Sequence, residues 1–221
     1  MSSGLCIICK AETTHYCGGC RNVWYCSVSH QRQHWELAHH KECGKIPCQR
    51  KLAESRRLWR EHGEKTRVFI LAYLDGPDES EAVTSAVAIL MKNQEDLGAF
   101  FDTLLPGSRE TVTALLKEHI SQAAALLDAA KNKKPLTELF RLYSAWFENA
   151  KKISQLAPKL GLSSARLMEL MSDHLETTLQ EALLHAEGKM EEDLSMYVKV
   201  LAHLQMMADY LVSNQMCACK K

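Results

Sequence analysis

From about Arg50 to Ser213 apolar residues return every three or four positions, the period of a helix that buries one face, and strand-like alternation is scarce. Punctuation cuts this stretch into five or six helices. The first runs from about Arg50 to Leu74 and is stopped by "DGPD". The second starts at the capping-box pattern Asp78 to Glu81 and reaches about Thr103, where "LPGS" breaks the chain. A third covers about Arg109 to Lys131, and a fourth begins after Pro135 and reaches Leu156 before Pro158. A Ser163 cap opens the fifth and Gly188 closes it; the last spans about Met190 to Ser213. Connections this short favour antiparallel neighbours, so the pattern predicts a mainly α protein built on an up-and-down helical bundle.

Residues 1–48 break that rhythm: they lack long apolar periodicity and hold Cys6, Cys9, Cys17, Cys20, Cys26 and Cys43. The composition shift near "GKIPCQR" divides the chain into a small module, 1–48, and a bundle domain, 49–221. No apolar run approaches the roughly 20 residues that span a bilayer, and "MSSGLCIICK" lacks the basic start and apolar core of a signal peptide. An intracellular protein, cytoplasmic or nuclear, is expected. In a reducing compartment clustered cysteines point to metal rather than disulfides. Cys48, Cys217 and Cys219 are expected as free thiols.

The cysteines and histidines of the module fall in four pairs: Cys6-x2-Cys9, Cys17-x2-Cys20, Cys26-x3-His30 and His39-x3-Cys43. Each spacing lets one tight turn, or one turn of helix, aim two donors at a single ion. Eight donors make two closed tetrahedral sites of three thiolates and one imidazole each, the set structural zinc prefers. With every position filled by protein, no place remains for a catalytic water, and no catalytic residue is assigned. Cys6 to Cys43 resembles a MYND-type zinc finger, including "VWYC" before the fifth ligand and "HQRQHW" after it. The resemblance implies interleaved ligation, with one zinc on Cys6, Cys9, Cys26 and His30 and the other on Cys17, Cys20, His39 and Cys43. Two departures stand out. His30 occupies a position that is often Cys in the family, and Trp35 precedes His39 by four residues where three are usual. His40 therefore competes with His39, which keeps the H-x3-C spacing to Cys43. His15 and His34 are expected to be solvated or to lie beside the ligands. The resemblance also implies docking of proline-containing peptides from partner proteins, with Tyr25, Gln31 and Trp35 as the groove; Trp35 could equally be core in so small a fold.

Charge argues against nucleic acid as the partner. The chain carries 27 basic and 27 acidic residues, so no global field recruits polyanions. The module's small formal excess of Lys and Arg is largely offset by six zinc-bound thiolates.

The bundle holds its own candidate chemistry. His62, His119, His174 and His203 each fall on the apolar stripe of a different helix, and Asp96 and Glu181 supply nearby carboxylates. Helical bundles build metal sites from such side chains on facing helices, and buried unpaired imidazoles are otherwise costly. The set is read as one additional metal site or as a polar interior network that also draws on Asn93, Asn149 and Asp209. The phrases "LWREH", "KNQEDLG", "LLKEHI", "WFENA", "MSDHLETTLQEA" and "HLQMMAD" resemble an uncharacterised bacterial all-helical protein family, which implies a shared fold and no transferable activity. There is no Gly-rich phosphate loop, G-x-S-x-G elbow or Cys/His pair with an orienting third group. The leading expectation is a zinc-binding protein-interaction adaptor. One alternative makes the bundle a metal-binding sensor or oxidoreductase that the finger targets to partners; another is a structural scaffold.

Overall fold

The structure is a computed structural model that describes residues 3–43, 45–77 and 80–218, with the backbone alone for residues 46, 47 and 215–218. Residues 54–212 form one compact unit and the remaining described residues the other.

In the smaller unit strands β1 (Gly4–Leu5) and β2 (Glu12–Thr13) pair antiparallel, Gly4 opposite Thr13 and Leu5 opposite Glu12. Helix α1 (Val28–His34) follows, capped by Ser27, whose hydroxyl accepts from His30 N–H. It continues through a π-helical turn, Trp35–His39, into the short α2 (His40–Glu42).

Helix α3 (Lys45–Asp75) begins before the expected Arg50 and crosses the division between the units without a linker. Pro47 does not prevent this because it falls in the first turn, where its missing N–H has no intrahelical partner to lose. Five more helices follow: α4 (Glu81–Leu104), α5 (Arg109–Lys131), α6 (Leu136–Ser154), α7 (Ser164–Ala186) and α8 (Met190–Ala218). A 3-10 turn, Ala157–Leu160, lies between α6 and α7. The expected capping box at Asp78 lies outside the described residues; the cap on α4 is Ser80, whose Oγ accepts from Val83 N–H. Ser163 caps α7 as expected, and Gly188, at φ 73°, takes the left-handed turn that lets the chain reverse into α8. The architecture is a small Cys/His module and an up-and-down helical bundle. No helix among the described residues is long and apolar enough to cross a membrane.

The apolar stripes pack together: in one cluster Phe69, Ile70 and Tyr73 of α3 meet Val83, Ala86 and Leu90 of α4 and Ile120 and Leu127 of α5. Helices α4 and α5 approach closely at Gly98. A Cβ there would collide with Thr113 Oγ1 and stand 3.0 Å from the Arg109 carbonyl oxygen, so only glycine fits without moving its neighbours. Gly98→Ala is therefore expected to lower stability by about 1–3 kcal/mol despite alanine's better helix propensity. Urea unfolding measures it; an unchanged or raised midpoint would show that the helices separate freely.

Candidate metal centres and interaction face

Two backbone knuckles present the first four cysteines. Lys10 N–H donates to Cys6 C=O at 2.9 Å and Arg21 N–H to Cys17 C=O at 2.8 Å. Each turn closes on a left-handed residue, Lys10 at φ 62° and Arg21 at φ 52°. Their sulfurs gather with donors from the helical segment into two groups, Cys6, Cys9, Cys26 and His30, and Cys17, Cys20, His39 and Cys43.

In the first group Cys9 Sγ lies 3.4 Å from Cys26 Sγ, and His30 Nδ1 is 3.1 Å from Cys26 Sγ and 3.6 Å from Cys6 Sγ. In the second, Cys17 Sγ and Cys43 Sγ are 3.6 Å apart and Cys20 Sγ is 3.5 Å from His39 Nε2. A tetrahedron with Zn–S near 2.3 Å and Zn–N near 2.1 Å has edges of about 3.5–3.8 Å. The two groups thus fit two structural zinc ions. Burial opposes ionisation of Cys6, but N–H groups of Cys9, Cys26 and Ile8 outweigh it and bring the thiol down to about 5, whereas the Cys9 thiol beside Cys26 pushes that group up to about 11 and burial pushes Cys43 up to about 12.

His39 belongs to the second cluster and His40 does not: His39 is buried, while exposed His40 turns its Nδ1 to the Trp35 carbonyl oxygen, 2.6 Å away. The π-turn explains how a four-residue spacing from Trp35 still delivers this ligand. His40 N–H reaches back five residues to Trp35 C=O, so the wider turn absorbs one extra residue and keeps His39 in register with Cys43. His34 lies beside the ligand, its ring stacked on His39 with centroids 5.2 Å apart.

Tyr25, expected in a peptide groove, is instead interior, 3% exposed and packed with Cys17, Cys20 and Cys43. In a fold this small the zinc cluster needs an apolar lid, and the tyrosine ring supplies it. Burial, with the surrounding cysteines, pushes its hydroxyl up to about 12, and the hydroxyl oxygen lies 2.8 Å from His34 Nδ1. Gln31 and Trp35 do face outward. With Val28, Arg32 and Glu36 they line a shallow depression on the helical segment, where Trp35 is 45% and Val28 66% exposed. Val28 was not anticipated; its place one helical turn before Gln31 and Arg32 was the available signal.

Cys48, expected free, is buried and disulfide-bonded, a proximity that linear spacing does not reveal. The side chains of Cys217 and Cys219 lie outside the described residues.

In the bundle the structure gathers part of the expected set. His62 of α3, His119 of α5 and His174 of α7 are buried together, the ring of His174 lying 5.7 Å from that of His62 and 6.1 Å from that of His119. His203 of α8 is also buried, but its Nε2 is 2.8 Å from Leu170 C=O. The carboxylates go elsewhere. Asp96 sits half-exposed with Lys92, because its helix turns it outward past Asn93 and Leu97. Glu181 pairs with Arg67 at 2.9 Å, and Arg67 Nη2 also holds Asp193 at 2.7 Å. His185 bridges Asp193 and Asp75 at 2.9 and 2.8 Å, completing a network of α3, α7 and α8 that sequence reading missed; no periodicity marks it. Of the other network candidates, Asn93 donates to Leu58 C=O and Asn149 to Leu115 C=O, while Asp209 pairs with Arg56 at the surface.

The fold and the two closed clusters define a zinc-finger protein with a helical bundle. Residues 6–43 match the MYND finger family. No curated protein and no solved structure matches the chain.

Proposed function

We propose that the chain is a zinc-dependent adaptor whose MYND finger docks a proline-containing segment of a partner protein on the face formed by Val28, Gln31, Arg32, Trp35 and Glu36. The observation that carries this reading is Trp35, a large aromatic left 45% exposed on a helix that two zinc clusters hold rigid. An aromatic face stacks on a preformed extended proline segment at low entropic cost, and Gln31 beside it supplies hydrogen bonds to the peptide backbone. Arg32 and Glu36 give the rim both signs of charge. With 27 basic and 27 acidic residues, the chain lacks the net field that attracts phosphate backbones, which favours a protein partner over nucleic acid.

Isothermal titration with a panel of proline-containing peptides tests it. Trp35→Ala is expected to weaken the tightest peptide at least about tenfold, a loss of about 1.4 kcal/mol, and Gln31→Ala less. Both variants should keep two zinc ions per chain. Binding unchanged in both would remove this face from the function.

A further inference from the structure

We propose that His62, His119 and His174 bind one divalent first-row transition-metal ion through their Nε2 atoms, forming a third metal centre inside the bundle. The three imidazoles come from α3, α5 and α7, so no local sequence need brings them together. In a tetrahedral site with M–N near 2.1 Å, imidazole centroids stand about 5 Å apart. The separations from His174 here are 5.7 Å to His62 and 6.1 Å to His119, somewhat wider. Among the described residues only the two finger clusters already hold three or more donor atoms within 4.8 Å, so the ion itself would draw these rings inward.

What sets this trio apart from packed core histidines is the use of the ring nitrogens. His119 Nδ1 donates to Asn149 Oδ1 at 3.0 Å, leaving the Nε2 lone pair free. His174 Nδ1 pairs with Thr178 Oγ1 at 3.3 Å. His62 Nδ1 faces the amide nitrogen of Gln94, at 3.4 Å, and the side chain of Asn93. In each ring Nδ1 faces its polar neighbour, and Nε2 has no hydrogen-bond partner among the described residues. Metal-ligating histidines are oriented by an oxygen at the far nitrogen, the arrangement that His119 has with Asn149 Oδ1 and His174 with Thr178 Oγ1.

A second observation is independent of the histidines. Trp59 lies 5.6 Å from His62 and Trp146 lies 5.2 Å from His119, ring to ring, and both indole N–H groups are buried without a partner, as is Gln94 Oε1. An unpaired buried polar atom costs about 1–3 kcal/mol. Three of them around one cluster match a bound ion together with the water or small anion that completes its shell. Burial also holds all three imidazoles in the neutral, ligating form, His62 down to about 3, His119 down to about 4, and His174 well below its ordinary value. Nitrogen donors without carboxylates select zinc, nickel, cobalt or copper over magnesium and calcium.

The full-length, zinc-loaded protein is incubated with Ni2+, freed of excess metal and analysed. One nickel per chain beside two zinc ions is expected, with a nickel-edge X-ray absorption spectrum showing imidazole nitrogen and no sulfur. His119→Gln and His174→Gln should abolish nickel retention, and His203→Gln should keep it. Asn149→Ala, which frees His119 Nδ1, should weaken binding about 10- to 100-fold. No retained nickel in the wild-type chain, a sulfur shell, or retention undiminished in the first two variants would overturn the proposal. Should those substitutions unfold the bundle, the wild-type stoichiometry and spectrum decide it. The finger's two zinc ions are counted separately, so failure here leaves the adaptor reading intact.

Discussion

Cys17→Ser is expected to remove both zinc ions from the finger, not one. The chain visits the clusters alternately: Cys6 and Cys9, then Cys17 and Cys20, then Cys26 and His30, then His39 and Cys43. Opening the second cluster therefore frees both ends of the segment that closes the first. Little else can hold the fold, because the apolar packing around the second cluster consists of Tyr25 and half-buried Val23. A structural zinc contributes about 10–16 kcal/mol of apparent binding energy to such a module, far above what so few apolar contacts provide. Metal analysis should fall from two zinc ions to fewer than one per chain, and the dispersed amide signals of residues 6–43 should collapse. Signals from residues 54–212 should persist, since that unit has its own core. Retention of one tightly held zinc with native signals around Cys6 and Cys26 would show that the clusters fold independently.

Acidification should unfold the bundle in a window set by its buried histidines. Burial lowers the folded-state pKa of His62 to about 3, of His119 to about 4 and of His174 well below 6.5, with His62, His119 and His203 adding repulsion at His174. The sign follows from linkage: the unfolded chain binds these protons near pH 6.5 and the folded chain does not, so stability is full above that value and falls as pH drops below it. Each histidine contributes a slope of about 1.4 kcal/mol per pH unit, and three together cost about 6 kcal/mol by about pH 5. That approaches the whole stability of an ordinary domain, about 5–15 kcal/mol. His185 acts oppositely. Its burial favours the neutral form, but Asp193 and Asp75 outweigh it and raise the pKa, so its contribution is present below 6.5 and is lost as pH rises through the raised value. Urea midpoints between about pH 7.5 and about pH 5 measure the balance, without added metal. Fluorescence of Trp59 and Trp146, the ring neighbours of His62 and His119, reports locally. His119→Gln should shallow the slope by one proton; a pH-independent midpoint would mean the imidazoles are not held neutral.

Secondary structure was largely legible because it depends on local rules. The expected third helix, about Arg109 to Lys131, matches α5, and Ser163 and Gly188 bound the fifth as capping chemistry requires. The errors fell where context overrides local rules. The first helix was expected from about Arg50, yet α3 begins at Lys45, because helix continuity needs only backbone hydrogen bonds and a tolerated proline. Tyr25 has the composition of a groove residue and the location of a lid.

The amino-acid sequence by itself determined the donor pairs of the finger, because donors three or four residues apart converge wherever the backbone makes one turn, while the resemblance to a MYND finger implied which pairs share an ion. It also determined the helices, because an apolar period of three to four admits no other buried form. Tertiary structure alone decided which distant groups meet. It chose His39 over His40 through a π-turn, left Asp96 with Lys92, and drew Glu181 to Arg67. It also set His62, His119 and His174 against one another, since the register between helices is fixed by packing and not by spacing along the chain.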